Sequence, residues 1–237
     1  PFSFILKISK AYLKSWIILS SNLKTNLIIL SLYKLKKVII FNGLGRYRKV
    51  RFFRKILLLL LKLNRKHTHI FQNYSDFRFF SRFSKTEISW VPGSGGTFRQ
   101  SGKNNGFIVV TRSDKLKLVS SSIIEFALIS SPKPKFFIVG CPEDTTKKYL
   151  GSYKKFDAIG YVPQSDIFKS SNCFFQPSGY GEGVPHTLVD AIVSGLKVVV
   201  SKKDFVSFGL YKLGFKFIQC CGSWGYLDGC YKSKLTL

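Results

Sequence analysis

Short, wholly apolar runs alternate along this chain with longer stretches in which apolar residues return every three or four positions. The runs at 37–41, 69–72 and 88–91 read as buried strands. Between them, 50–63 reads as a basic, leucine-rich helix. A second helix opens after 73–76, with Asp76 as its N-cap and Phe77, Phe79, Phe80 and Phe83 as its apolar faces. A glycine-rich, polar stretch at 97–105 reads as a linker. Beyond it the alternation restarts: strands at 107–111, 135–140, 158–162, 173–176 and 197–201, and helices at 120–130, 145–150 and 187–194. After Ser201 the pattern fades, and 220–230 fits no element.

Strands that are apolar at every position, with helices between them, predict parallel sheets covered on both faces. The fold class is therefore α/β, with a first domain and linker over 1–101 and a second domain over 102–237. Sheets of this kind bind ligands beyond the carboxyl ends of their strands, often at helix N-termini.

Composition narrows the function. With 45% hydrophobic and 21% charged residues, the chain has ample material for a core. The net charge of +26 suggests nucleic acid, anionic lipid or phosphorylated ligands as partners. Enrichment in Lys, Ile, Phe, Asn and Ser has an AT-rich coding bias as its other source. The lysines are spread along the chain with no single basic and aromatic element, so no nucleic-acid partner is expected. The five cysteines, two of them adjacent, and three histidines form no paired metal spacing, so neither a disulfide framework nor a metal site is expected. A reducing, cytoplasmic setting follows. The apolar run 56–61 is far shorter than the ~20 residues of a membrane span. The opening stretch, with Lys7, Lys10 and Lys14 among apolar residues, suits an amphipathic helix on a core or a membrane surface. The chain has no methionine and begins with proline, so a coding frame extending beyond both ends is expected.

Candidate chemistry concentrates at 177–191, which runs Pro-Ser-Gly-Tyr-Gly-Glu-Gly-Val-Pro-His-Thr-Leu-Val-Asp-Ala. Its order is a strand end, a flexible loop and a helix start. Gly181 and Gly183 allow close backbone approach to a ligand. The amides after Pro185 point out of a helix N-terminus, where an anion is favoured. Glu182 and Asp190 offer paired acceptors for sugar hydroxyls. Taken by itself, the loop reads equally as a glycine-rich turn with an exposed Glu and a capping Asp. Upstream, Arg112 and Lys117 follow a strand end, and two cations there suit a diphosphate; a solvated charge run is the plainer reading.

Taken together, these segments resemble glycosyltransferase family 4, a retaining group with the GT-B fold of two Rossmann-like domains. The family's Pro-Ser, Glu-Gly, Pro and second acid before Ala correspond to 177–191, with Asp190 in place of the second Glu. Arg112 and Lys117 resemble its Arg-x4-Lys, and 136–140 with Gly160, Tyr161 and Val162 resemble the strand and glycine pair framing the nucleotide base. Asn42-Gly43-Leu44-Gly45, Phe71-Gln72-Asn73 and Pro92-Gly93-Ser94-Gly95 resemble members that build bacterial surface glycans.

The resemblance implies transfer of a sugar from a nucleoside diphosphate sugar, as co-substrate, to a glycan or lipid-linked acceptor, with no other cofactor. Glu182, Arg112 and Lys117 become the catalytic residues. Gly160, Tyr161, Gly183, Val184, Pro185, His186 and Thr187 line the donor site, and Asp190 holds the ribose. The expected location is cytoplasmic, with peripheral contact to an anionic membrane at the inner face of the cell membrane. An inactive fragment of such an enzyme and a basic nucleic-acid or membrane-surface protein remain the alternatives.

Overall fold

The computed structural model describes residues 17–32, 36–84, 86–93, 95–151, 153–178 and 183–229. The opening amphipathic stretch lies outside them. The described residues form two compact units, one ending at Pro92 and taking in Gly183, the other starting at Gly93.

The first unit is a four-stranded parallel sheet. Its strands β1 (Ile17–Ser20), β2 (Lys36–Phe41), β3 (Thr68–Phe71) and β4 (Ile88–Trp90) lie in chain order. Helices α1 (Leu23–Ser31), α2 (Arg51–Leu63) and α3 (Tyr74–Ser84) connect them. Phe41, Phe71 and Phe80 stack in sequence through the core, with centroids 4.6 and 5.3 Å apart, and Ile39, Leu57 and Leu61 close around them. Lys37 is buried in this unit and donates to the Leu32 carbonyl and to Asn64 Oδ1; burial pushes its pKa down.

Asp76 differs from the cap expected of it. The helix starts earlier, at Tyr74, because the Asn73 side chain accepts from the Asp76 amide at 3.2 Å and closes the first turn. The Asp76 carboxylate turns inward, 3.1 Å from Arg48 Nε and 3.4 Å from the Leu44 amide.

The second unit holds seven strands in the order β10 (Lys216–Cys221), β11 (Trp224–Asp228), β9 (Lys197–Ser201), β8 (Cys173–Phe175), β5 (Phe107–Val110), β6 (Phe136–Val139) and β7 (Phe156–Gly160). The parallel part is β5 to β9. Its helices are α4 (Ser113–Ile129), α5 (Glu143–Leu150), α6 (His186–Val193) and α7 (Lys202–Ser207). Alternate strand residues feed two cores. Ile108, Phe174 and Val198 point to one face, while Val109, Phe175 and Val199 point to the other. Burial on both faces is why β5, β6 and β8 are apolar throughout.

Among the departures from the sequence reading are helix α4 and the tail. Helix α4 begins at Ser113, seven residues before the predicted start, because the apolar spacing of Leu116, Val119, Ile123 and Phe126 already carries its buried face. The unassigned tail forms a hairpin of β10 (Lys216–Cys221) and β11 (Trp224–Asp228), antiparallel to each other, with β11 antiparallel to β9. The turn residue Gly222 has φ +52°, a conformation that favours glycine.

Candidate functional site

Consecutive strand ends of the second unit stand in one row. The Thr111 amide donates to the Val139 carbonyl at 3.0 Å, and the Gly140 amide donates to the Gly160 carbonyl at 2.7 Å. Gly140 is held at φ +89°, and a Cβ there would lie 2.6 Å from the Thr111 carbonyl oxygen. Only glycine keeps these two ends so close.

Three predicted residues project from this row. Arg112 occupies the extended position just before α4, with its side chain 73% exposed. Tyr161 follows Gly160, is 73% exposed, and has its hydroxyl 3.1 Å from Ser113 Oγ. Lys117 is exposed four residues after Ser113, a spacing that puts both on one helix face. The edge thus gathers two cations, two hydroxyls and the N-terminus of a 17-residue helix. Opposing this, Asp114 in the first turn lies 3.7 Å from Arg112 Nε. The sequence reading gave Ser113 and Asp114 no role, although both stand between the Arg112 and Lys117 it singled out.

The loop after β8 comes back to the same helix, since the Ser178 amide donates to Ser122 Oγ at 3.2 Å. Helix α6 then starts behind Pro185, which takes the extended N-cap position. Val184, Leu188 and Val189 are buried and anchor this end, while His186 is exposed and Thr187 half-buried. Glu182 lies outside the described residues. Gly183 is buried in the first unit, where a Cβ would meet the Asn42 carbonyl oxygen.

Asp190 has a different environment from an open ribose site. It is 6% exposed. One carboxylate oxygen accepts from the Thr97 amide at 2.7 Å; the other accepts from Arg99 Nε at 3.2 Å and Nη2 at 3.0 Å. Arg99 Nη1 donates onward to the Gln164 carbonyl at 2.7 Å, and the Arg99 amide donates to Ser194 Oγ at 2.8 Å. A fork of two donors on one carboxylate oxygen, plus a backbone donor on the other, leaves this acid fully engaged. The segment read as a linker is accordingly fastened along α6. Arg99 was missed because its partner is 91 residues away, a separation no local pattern signals.

Residues 97–207 match the family described as glycosyl transferases group 1. Over that span the chain is similar to the family. Its matched span opens at Thr97, the residue whose amide meets Asp190, and includes the whole row of strand ends. Among solved structures, "Crystal Structure of TarM" is similar over 77% of this chain, with a TM-score of 0.50 and 11% identity. That likeness shows the fold, the GT-B-like α/β arrangement with two parallel-rich sheets. The aligned region spans 40% of the TarM chain. No curated protein matches this sequence.

Proposed function

We propose that this chain binds a nucleoside diphosphate sugar at the carboxyl edge of its second sheet and transfers the sugar to a glycan or lipid-linked acceptor. The observation that carries the reading is the grouping of Arg112, Ser113, Lys117 and Tyr161 around the start of α4, beside the closely packed ends at Thr111, Gly140 and Gly160.

In this reaction the bond between the anomeric carbon and the diphosphate oxygen breaks, and the acceptor hydroxyl oxygen takes the diphosphate's place as its proton leaves with the departing diphosphate. Negative charge grows on the departing diphosphate. Arg112 and Lys117 offset it with charge-assisted hydrogen bonds, and the helix N-termini of α4 and α6 add their dipoles. Tyr161 presents a ring and a hydroxyl beside that end, suited to the nucleoside. Glu182 orients the sugar and the configuration at the anomeric carbon is retained, both as the family resemblance implies. Val184 through Thr187 form the backbone approach to the donor. Asp190 acts through Arg99: the pair fixes α6, and so the start of that helix, instead of presenting a bare carboxylate to the ribose.

The test is release of nucleoside diphosphate from a panel of nucleotide sugars mixed with glycan and lipid-linked acceptors. Release from at least one donor, abolished by Glu182→Ala with folding unchanged, supports the reading. No release from any donor, together with no binding of any nucleoside diphosphate, defeats it.

A further inference from the structure

Helix α2 is apolar on two opposite faces, and only one of them meets the core. Leu57 and Leu61 are fully buried beneath the sheet. On the other side Phe52, Ile56, Leu59 and Leu63 are 72, 39, 58 and 67% exposed. At 100° per residue these four fall within roughly 60° of one another, a stripe about 16 Å long. Arg51, Lys55 and Lys62 are exposed along one flank of it. The helix has 13 residues, too short to cross a bilayer, and among the described residues no helix is long and apolar enough to do so.

We infer that this face of α2 lies flat on an anionic lipid surface. The stripe enters the boundary between headgroups and acyl chains, and the flanking cations meet the lipid phosphates. Charge selects this occupant over the others. Residues 1–75 contain 16 Lys and Arg and no Asp or Glu. A second copy docking through the same face would set cations against cations. Nucleic acid would satisfy the cations but leave three aliphatic side chains against phosphates, with their desolvation unrewarded. A bilayer interface supplies both an anionic layer and an apolar one. The inference rests on the first unit alone and is independent of the donor reading.

The experiment is flotation of the full 237-residue chain with vesicles of phosphatidylcholine, with and without phosphatidylglycerol. Strong flotation with the anionic vesicles is expected, and at least about tenfold less with the neutral ones. Replacing Phe52, Ile56, Leu59 and Leu63 together by Ser should abolish flotation without lowering the thermal midpoint, because those side chains contact solvent. Leu59→Gln alone should weaken flotation in the same direction, which keeps the test valid if the fourfold variant does not fold. Replacing Arg51, Lys55 and Lys62 by Gln should weaken binding on the order of 10²-fold. Flotation that ignores the stripe, equal binding to neutral vesicles, or a stripe-dependent dimer or nucleic-acid complex would each overturn the inference.

Discussion

Asp190 and Arg99 are both buried and meet through two guanidinium donors, so neither can be removed alone without stranding the other. Asp190→Ala should therefore destabilise the second unit by about 3–5 kcal/mol, as for other buried pairs that lose one partner. Replacing both residues by leucine should recover most of that loss. Urea denaturation of the single and double variants measures it, and an unchanged midpoint in Asp190→Ala would mean the pair is not formed in solution. His69 carries a second prediction. It is fully buried on β3, and neither ring nitrogen meets a hydrogen-bond partner of good geometry. Burial, helped by the His67 and Lys37 charges and opposed by the Glu87 backbone, lowers its pKa from 6.5 to about 4. The folded state thus binds the His69 proton less readily than the unfolded state. Its contribution to stability is complete above pH 6.5 and is lost as pH falls toward 4, on the order of 3 kcal/mol across that window. Denaturation midpoints at pH 7 and pH 5 should differ in the parent chain and differ less in His69→Leu, where His67, also lowered by burial, keeps part of the slope; an equal pH slope in both would remove His69 as the cause.

Helix α4 joins the row of strand ends to the cations, and its early start was the main element the sequence reading misjudged. Its apolar spacing was present from Leu116, but Arg112, Asp114, Lys115 and Lys117 gave the first turns a solvated character. The hairpin of β10 and β11 was missed for a different reason. Its antiparallel strands alternate weakly, and its clearest signal is the Gly222-Ser223 turn between two aromatic runs. The buried strands of both sheets were legible because burial on two faces makes them continuous apolar runs. At the site, the Arg112 and Tyr161 positions follow from strand ends and could be read. The engagement of Asp190 depends on long-range packing and could not. Within α4, Asp114 competes with any anion for Arg112 and for the helix N-terminus. Asp114→Asn should tighten nucleoside diphosphate binding by roughly 2–5-fold, the scale of one helix-end charge. Weaker binding in this variant would show that Asp114 positions Arg112 productively. Arg112→Ala and Lys117→Ala should each lower sugar transfer on the order of 10²–10³-fold while leaving the thermal midpoint nearly unchanged. Equal losses in rate and stability would reassign them as structural.

At the scale of the whole molecule, the two units carry different chemistry. The first is uniformly basic up to Asp76 and bears the exposed stripe on α2. The second contains the matched family span and the row of strand ends. Net charge alone would let any polyanion bind anywhere, so the decisive question is whether a diphosphate prefers the carboxyl edge of the second sheet. Lys133 provides the comparison, because it precedes β6 at the opposite edge of the same sheet and is exposed. The measurement is calorimetric titration of the chain with nucleoside diphosphates, alongside Arg112→Ala, Lys117→Ala and Lys133→Ala. The expected result is saturable binding in the parent and in Lys133→Ala, with affinity reduced at least about tenfold in each of the other two. Equal weakening in all three variants, or no saturable binding in the parent, would contradict a donor site at that edge.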